Sequence, residues 1–156
     1  MNRLFGLLLT CSLLMLFCGH GFAETVKLPG NKDRCPVCGM FVAPYPDWVA
    51  TIVLADGEQL YFDGCKDLFR YYFKNSEDNS EFLDEVKGIY VTDYYRTQLV
   101  PVEDVFFVVG SDVYGPMGHE LIPIVGKELA ETFSRDHGGS AIYQFNQIRP
   151  DNLPVD

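Results

Sequence analysis

Positive charge is scarce in this sequence, and long apolar runs are nearly absent. Lys and Arg total 12 against 22 Asp and Glu, a formal net charge of −10. That balance argues against nucleic acid and anionic membrane as partners. It suits a soluble acidic surface, or one that steers a cation or a positively charged partner. Leu4 to Phe17 is almost unbroken apolar sequence, yet it falls short of the roughly 20 residues a membrane span needs. No later stretch comes close, so no membrane span is expected, and low-complexity sequence is also missing.

What the amino terminus does contain is an export signal. Asn2 and Arg3 give a polar, basic start, the apolar run follows, and Gly21-Phe22-Ala23 places small residues where signal peptidase reads. Residues 1–23 are therefore read as a signal peptide, removed after Ala23, with the protein periplasmic or otherwise exported. A lipid anchor at Cys18 is disfavoured, because Phe17 stands where lipoprotein processing wants a small side chain. Of five cysteines, Cys11 and Cys18 leave with the signal, and Cys35, Cys38 and Cys65 remain. Three thiols in an oxidising compartment cannot all pair within one chain, so at least one stays free, binds a ligand or pairs between molecules.

The remaining chain reads as α+β, two consecutive ββαβ units packed into one small domain. Residues 24–34 are a polar, flexible lead-in. In the first unit, 35–100, Trp48–Leu54 and Gln59–Phe62 are strands joined at Asp56-Gly57. Cys65–Lys74 carries Leu68, Phe69, Tyr72 and Phe73 at helical spacing, with Asp63 placed to cap it. A polar loop over 75–81 precedes a short helical piece at 82–86 and a strand over Ile89–Tyr94. In the second unit, 101–148, Val105–Val109 is a strand and Gly110–Gly118 a glycine-rich connection. His119–Ile124 is extended, and Pro123 pushes it toward a sheet edge. Lys127–His137 is a helix stopped by Gly138-Gly139, and Ala141–Phe145 closes the unit as a strand. The repeat rests on element order, since side-chain identity between the halves is slight. Residues 149–156 form a tail expected to fray.

Cys35 and Cys38 make a C-x-x-C, which serves a redox disulfide, half of a zinc site or a soft-metal clamp. Met40 adds a thioether to the two thiols, a combination that favours copper(I), because soft ligands match a soft, singly charged ion. Against this, a methionine also commonly fills a gap in a core. Met117 and His119 stand in the turn-rich Gly115-Pro116-Met117-Gly118-His119, where a methionine has few core neighbours and display is the better reading. His119 is either a ligand or a solvated loop histidine, and His137 suits the end of a helix dipole. Cys65 opens the central helix, where the dipole lowers a thiol's pKa. It is a ligand, a reactive thiol or a small buried residue.

In order along the chain, CPVCGMFVAPYPDW, YFDGCKDLFRYY, YVTDYY, FFVVGSDVYGPMGHELIP and an A-x-x-F helix ending in HGG resemble the NosL family. Its members are exported accessory proteins of nitrous oxide reductase, regarded as copper(I) chaperones for that enzyme's copper-sulfur centre. The resemblance spans about residues 34–148 and implies two similar ββαβ units. It also implies copper(I) ligation by Cys38, Met40 and Met117, with Cys35, His119 and Cys65 as further candidates. Two features depart from the family: many members are lipoproteins, and many have one cysteine where this chain has Cys35 and Cys38, with Cys65 in addition. The expectation is a non-enzymatic metallochaperone with nitrous oxide reductase, a related periplasmic copper enzyme or their assembly proteins as partner. The rivals are a thiol–disulfide oxidoreductase using Cys35 and Cys38, and a structural zinc site from Cys35, Cys38 and Cys65 with one histidine.

Overall fold

The computed structural model describes residues 26–78 and 80–155. The segment read as a signal peptide, its expected cleavage site and Cys18 lie outside the described residues. A short 3-10 turn, Pro46–Trp48, leads into β1 (Ala50–Leu54), β2 (Gln59–Phe62), α1 (Cys65–Asp78), α2 (Ser80–Glu85), β3 (Val86–Asp93) and β4 (Gln98–Pro101). The second half runs β5 (Val105–Val109), a two-stranded hairpin of β6 (Tyr114–Gly115) and β7 (Gly118–His119), then β8 (Ile122–Val125), α3 (Lys127–Asp136) and β9 (Ala141–Gln144).

Both halves fold the same way. The first sheet has the order β2-β1-β3-β4 and the second β8-β5-β9, all neighbours antiparallel. In each, the first strand is central, its successor lies on one side and the strand after the helix lies on the other. This is the α+β arrangement of two ββαβ units read from element order, with β4 added to the first sheet and the β6–β7 hairpin inserted in the second.

The alternation along β5 joins the units. Val105, Phe107 and Val109 face a core shared with β1, β3 and α1, while Val108 and Phe106 turn to the other face, against Ala130 and Phe133 of α3. Phe69 of α1 meets Phe107 edge-on with ring centroids 5.2 Å apart, and both rings are fully buried. Burying one such ring stabilises the fold by about 2–3 kcal/mol. At the sheet edges the buried Asp93 carboxylate accepts the Val125 N–H at 2.6 Å and the Arg96 N–H at 2.8 Å. Tyr94 N–H donates to the Pro123 carbonyl at 2.9 Å. Pro123 does sit on an edge strand, where its missing N–H costs no ladder bond.

Several boundaries differ from the sequence expectation for identifiable reasons. Pro46 opens a 3-10 turn, so the first strand starts at Ala50 rather than Trp48. The expected polar loop after Lys74 is largely helix. Asn75 Nδ2 donates to the Tyr71 carbonyl at 2.7 Å and Ser76 Oγ to the Phe73 carbonyl at 3.1 Å, so both side chains bond back along the helix. Gly138, at φ +67°, ends α3, with the Gly139 N–H reaching the Ser134 carbonyl at 2.7 Å. His137 at that terminus pairs Nδ1 with Asp112 Oδ1 at 2.9 Å and stacks on Phe133. The tail does not fray over its described length. Pro150–Asn152 forms a 3-10 turn, and Arg70 of α1 donates to the Pro154 carbonyl at 3.4 Å.

Candidate metal centre

The Cys35–Met40 segment closes into a knuckle. Gly39 N–H donates to the Cys35 carbonyl and Cys35 N–H to the Met40 carbonyl, both at 2.9 Å, and Arg34 and Phe41 form a single antiparallel bridge behind them. Gly39 has φ +79°, a conformation that strains any residue with a Cβ. Arg34 fastens the base, donating to the Gly39 carbonyl at 2.8 Å while its guanidinium lies 3.6 Å from the centroid of the Phe41 ring. Both thiols are thereby held by main-chain bonds, with Cys35 buried, Cys38 half-buried and Met40 half-buried at the knuckle's exit.

The thiols face the start of α1. Cys35 Sγ donates to Asp67 Oδ2 and Cys38 Sγ to Asp63 Oδ1, each at 3.3 Å. One ligand atom from each of the four residues lies within 4.8 Å of the other three. Asp63 and Asp67 are four residues apart and both buried, and Asp63 Oδ2 has no hydrogen-bond partner among the described residues. Burial pushes the Cys35 and Cys38 thiols up, and the Asp63 charge adds to the effect. Both are therefore neutral donors near pH 7, and a metal must displace their protons to bind.

Sequence reasoning assigned Asp63 to cap α1, but the cap comes from elsewhere. Glu120 Oε1 accepts the N–H groups of Lys66 and Leu121. Gly64 makes room for it, since a Cβ there would collide with the Glu120 carboxylate. Burial pushes Glu120 up to about 8. The expectation that the helix dipole lowers Cys65 is also overturned. Cys65 is buried, and burial together with the Glu120 charge pushes its thiol up.

Met117 occupies the two-residue turn of the β6–β7 hairpin and is 39% exposed. Lys66 Nζ donates to its main-chain carbonyl at 2.7 Å, tying the turn to α1. His119 is exposed and lies tilted against the Tyr114 ring, with centroids 4.7 Å apart. The next residue, Glu120, is buried at the helix start. The structure thus gathers Cys35 and Cys38 with two aspartates that sequence reasoning did not name as site residues. Cys65 and His119 stand outside that group of four. The available signal for the aspartates was weak: an Asp pair spaced i, i+4 at a helix start, which usually means a cap or a solvated face.

Two thiols and two carboxylates thus offer soft and harder donors within 4.8 Å of one another. Among the described residues no helix is long and apolar enough to cross a membrane. No curated protein matches the chain. The crystal structure of the copper chaperone NosL from Shewanella denitrificans superposes with a TM-score of 0.71 at 23% identity, covering 83% of this chain and 98% of that one, and so shares the fold. The NosL family profile matches residues 27–153, most of the chain, and the protein belongs to the NosL family.

Proposed function

We propose that this protein is an exported, non-enzymatic copper(I) chaperone that carries copper to nitrous oxide reductase, a related periplasmic copper enzyme or their assembly proteins. The observation that carries the reading is the half-buried Cys38 thiol in a rigid knuckle, with Met40 two residues on and Met117 displayed on a turn tied to the same helix start. Copper(I) is cargo here. Cys38, on losing its proton, supplies the anionic ligand, and Met40 and Met117 supply thioethers that bind without any proton release. Such a site holds a soft ion and yields it to a partner's thiolate or imidazole by stepwise ligand exchange. Cys35 is the nearest additional thiol, while Cys65 and His119 are the weaker candidates for ligation. Support also comes from the family and from the copper chaperone that shares the fold. Anaerobic titration of the reduced protein tests the reading: copper(I) uptake is expected, with Met117→Ala lowering affinity. No uptake would end it.

A second reading has its own observation. Carboxylates add little to copper(I), yet the Cys35, Cys38, Asp63 and Asp67 group has the thiolate and carboxylate donors that zinc accepts. Zinc retained through anaerobic purification, and unfolding on chelation, would favour a structural zinc site there. A thiol–disulfide exchange catalyst, by contrast, needs a thiolate near neutral pH, and burial pushes both thiols the other way.

A further inference from the structure

The first turn of α1 touches more than the knuckle. Asp63 and Asp67 accept the Cys38 and Cys35 thiols, and between them Lys66 reaches the Met117 carbonyl. Lys66 is fully buried, an uncommon state for lysine, so its stem is packed by protein rather than splayed in water. Its main-chain N–H is held by Glu120, and the same carboxylate oxygen takes the Leu121 N–H. The segment from Met117 to Leu121 is therefore fastened to this helix turn at two places. The hairpin has little hold of its own: its ladder consists of the pairs Tyr114↔His119 and Gly115↔Gly118. A hairpin of that size is not stable without outside support.

We propose that Lys66 is a positioning residue for the copper(I) site, its ammonium holding the Met117 turn where the thioether completes the ligand shell begun by the knuckle. The inference rests on Met117 being a ligand, as argued above. Lys66 acts through the main chain, so its side chain need not touch the metal. A turn held in place before the ion arrives loses less freedom on binding than a loose one, and affinity gains accordingly.

Lys66→Met keeps the length and apolar stem of the side chain and removes the donor. Supports of this kind, when removed, typically cost about 10-fold to 100-fold in metal affinity. That loss is expected in anaerobic competition against a chromophoric copper(I) chelator. Two residues that act together are not additive, so Met117→Ala should cost less than about 3-fold in the Lys66→Met background. Lys66→Arg, which restores a donor, should recover most of the affinity. Methyl-labelled methionine gives a second readout by carbon NMR. The Met117 methyl, assigned with Met117→Ala, should shift on copper(I) loading in the wild type and Lys66→Arg, and stay put in Lys66→Met. Should Lys66→Met not fold, Lys66→Gln, polar but too short to reach the Met117 carbonyl, carries the same expectation. If Met117→Ala matters in the wild type while the folded lysine variant keeps wild-type affinity and methyl shift, the role of Lys66 is overturned. If Met117→Ala has no effect in the wild type, the ligand assignment fails first and takes this inference with it.

Discussion

The buried thiols make copper(I) affinity depend on pH in a way that counts protons. Cys35 and Cys38 are both pushed up by burial, so the metal-free protein keeps them protonated across the neutral range. Each thiol that ligates must release its proton, and thioethers release none. Affinity therefore rises about tenfold per pH unit, or about 1.4 kcal/mol, for each thiolate formed. Between about pH 6 and pH 8 the increase is about 100-fold with Cys38 as the single thiolate, and about 10,000-fold if Cys35 joins it. An ordinary exposed thiol would begin to level off near pH 8.5, whereas these should not. Anaerobic chelator competition over a series of buffers measures the slope, and weakly buffered titration counts the protons directly. Glu120, pushed up to about 8, titrates in the same window, and Glu120→Gln removes its contribution while keeping an acceptor for α1. A flat profile, or a plateau below pH 8, would refute the reasoning.

Three further outcomes follow from the same geometry. Gly64→Ala forces a methyl into the Glu120 carboxylate and should destabilise the fold by about 1–3 kcal/mol in urea unfolding; an unchanged midpoint would remove Glu120 from its role at the helix start. Glu120 has a native pKa above its unfolded value, so the neutral form favours folding, and that stability is present at about pH 4.5 and is lost as pH rises toward 8. Unfolding series of wild type and Glu120→Gln should diverge over that window, and parallel curves would contradict the assignment. Asp63→Asn removes a negative charge that helps keep Cys38 protonated and leaves only a weaker, neutral acceptor, so alkylation of Cys38 at pH 7 should speed up. A slower or equal rate in the folded variant would count against the Asp63–Cys38 pairing.

The parts of this molecule written in local pattern were legible before the structure. Leu68, Phe69, Tyr72 and Phe73 marked the inner face of α1, Asp56-Gly57 the turn between β1 and β2, and the C-x-x-C spacing brought Cys35 and Cys38 together as a pair. The order of strands and helices carried the duplicated ββαβ plan. What escaped depended on contacts between distant segments. Asp63 at the head of a helix looks like its cap, and only the arrival of Glu120 from the second unit frees it to face Cys38. Nothing in the residues around Lys66 announces that it will be buried with its ammonium on the Met117 carbonyl, 51 residues on. For Cys65 the structure selects the small buried residue among the three readings, and burial outweighs the helix dipole expected to lower its thiol.

Copper K-edge absorption on the anaerobically loaded protein tests the central claim most directly. The account predicts a copper(I) edge with sulfur neighbours from one thiolate and two thioethers, and loss of thioether sulfur in the Met40→Leu, Met117→Leu double variant. A shell of nitrogen or oxygen, or a sulfur shell that the double variant leaves intact, would contradict it.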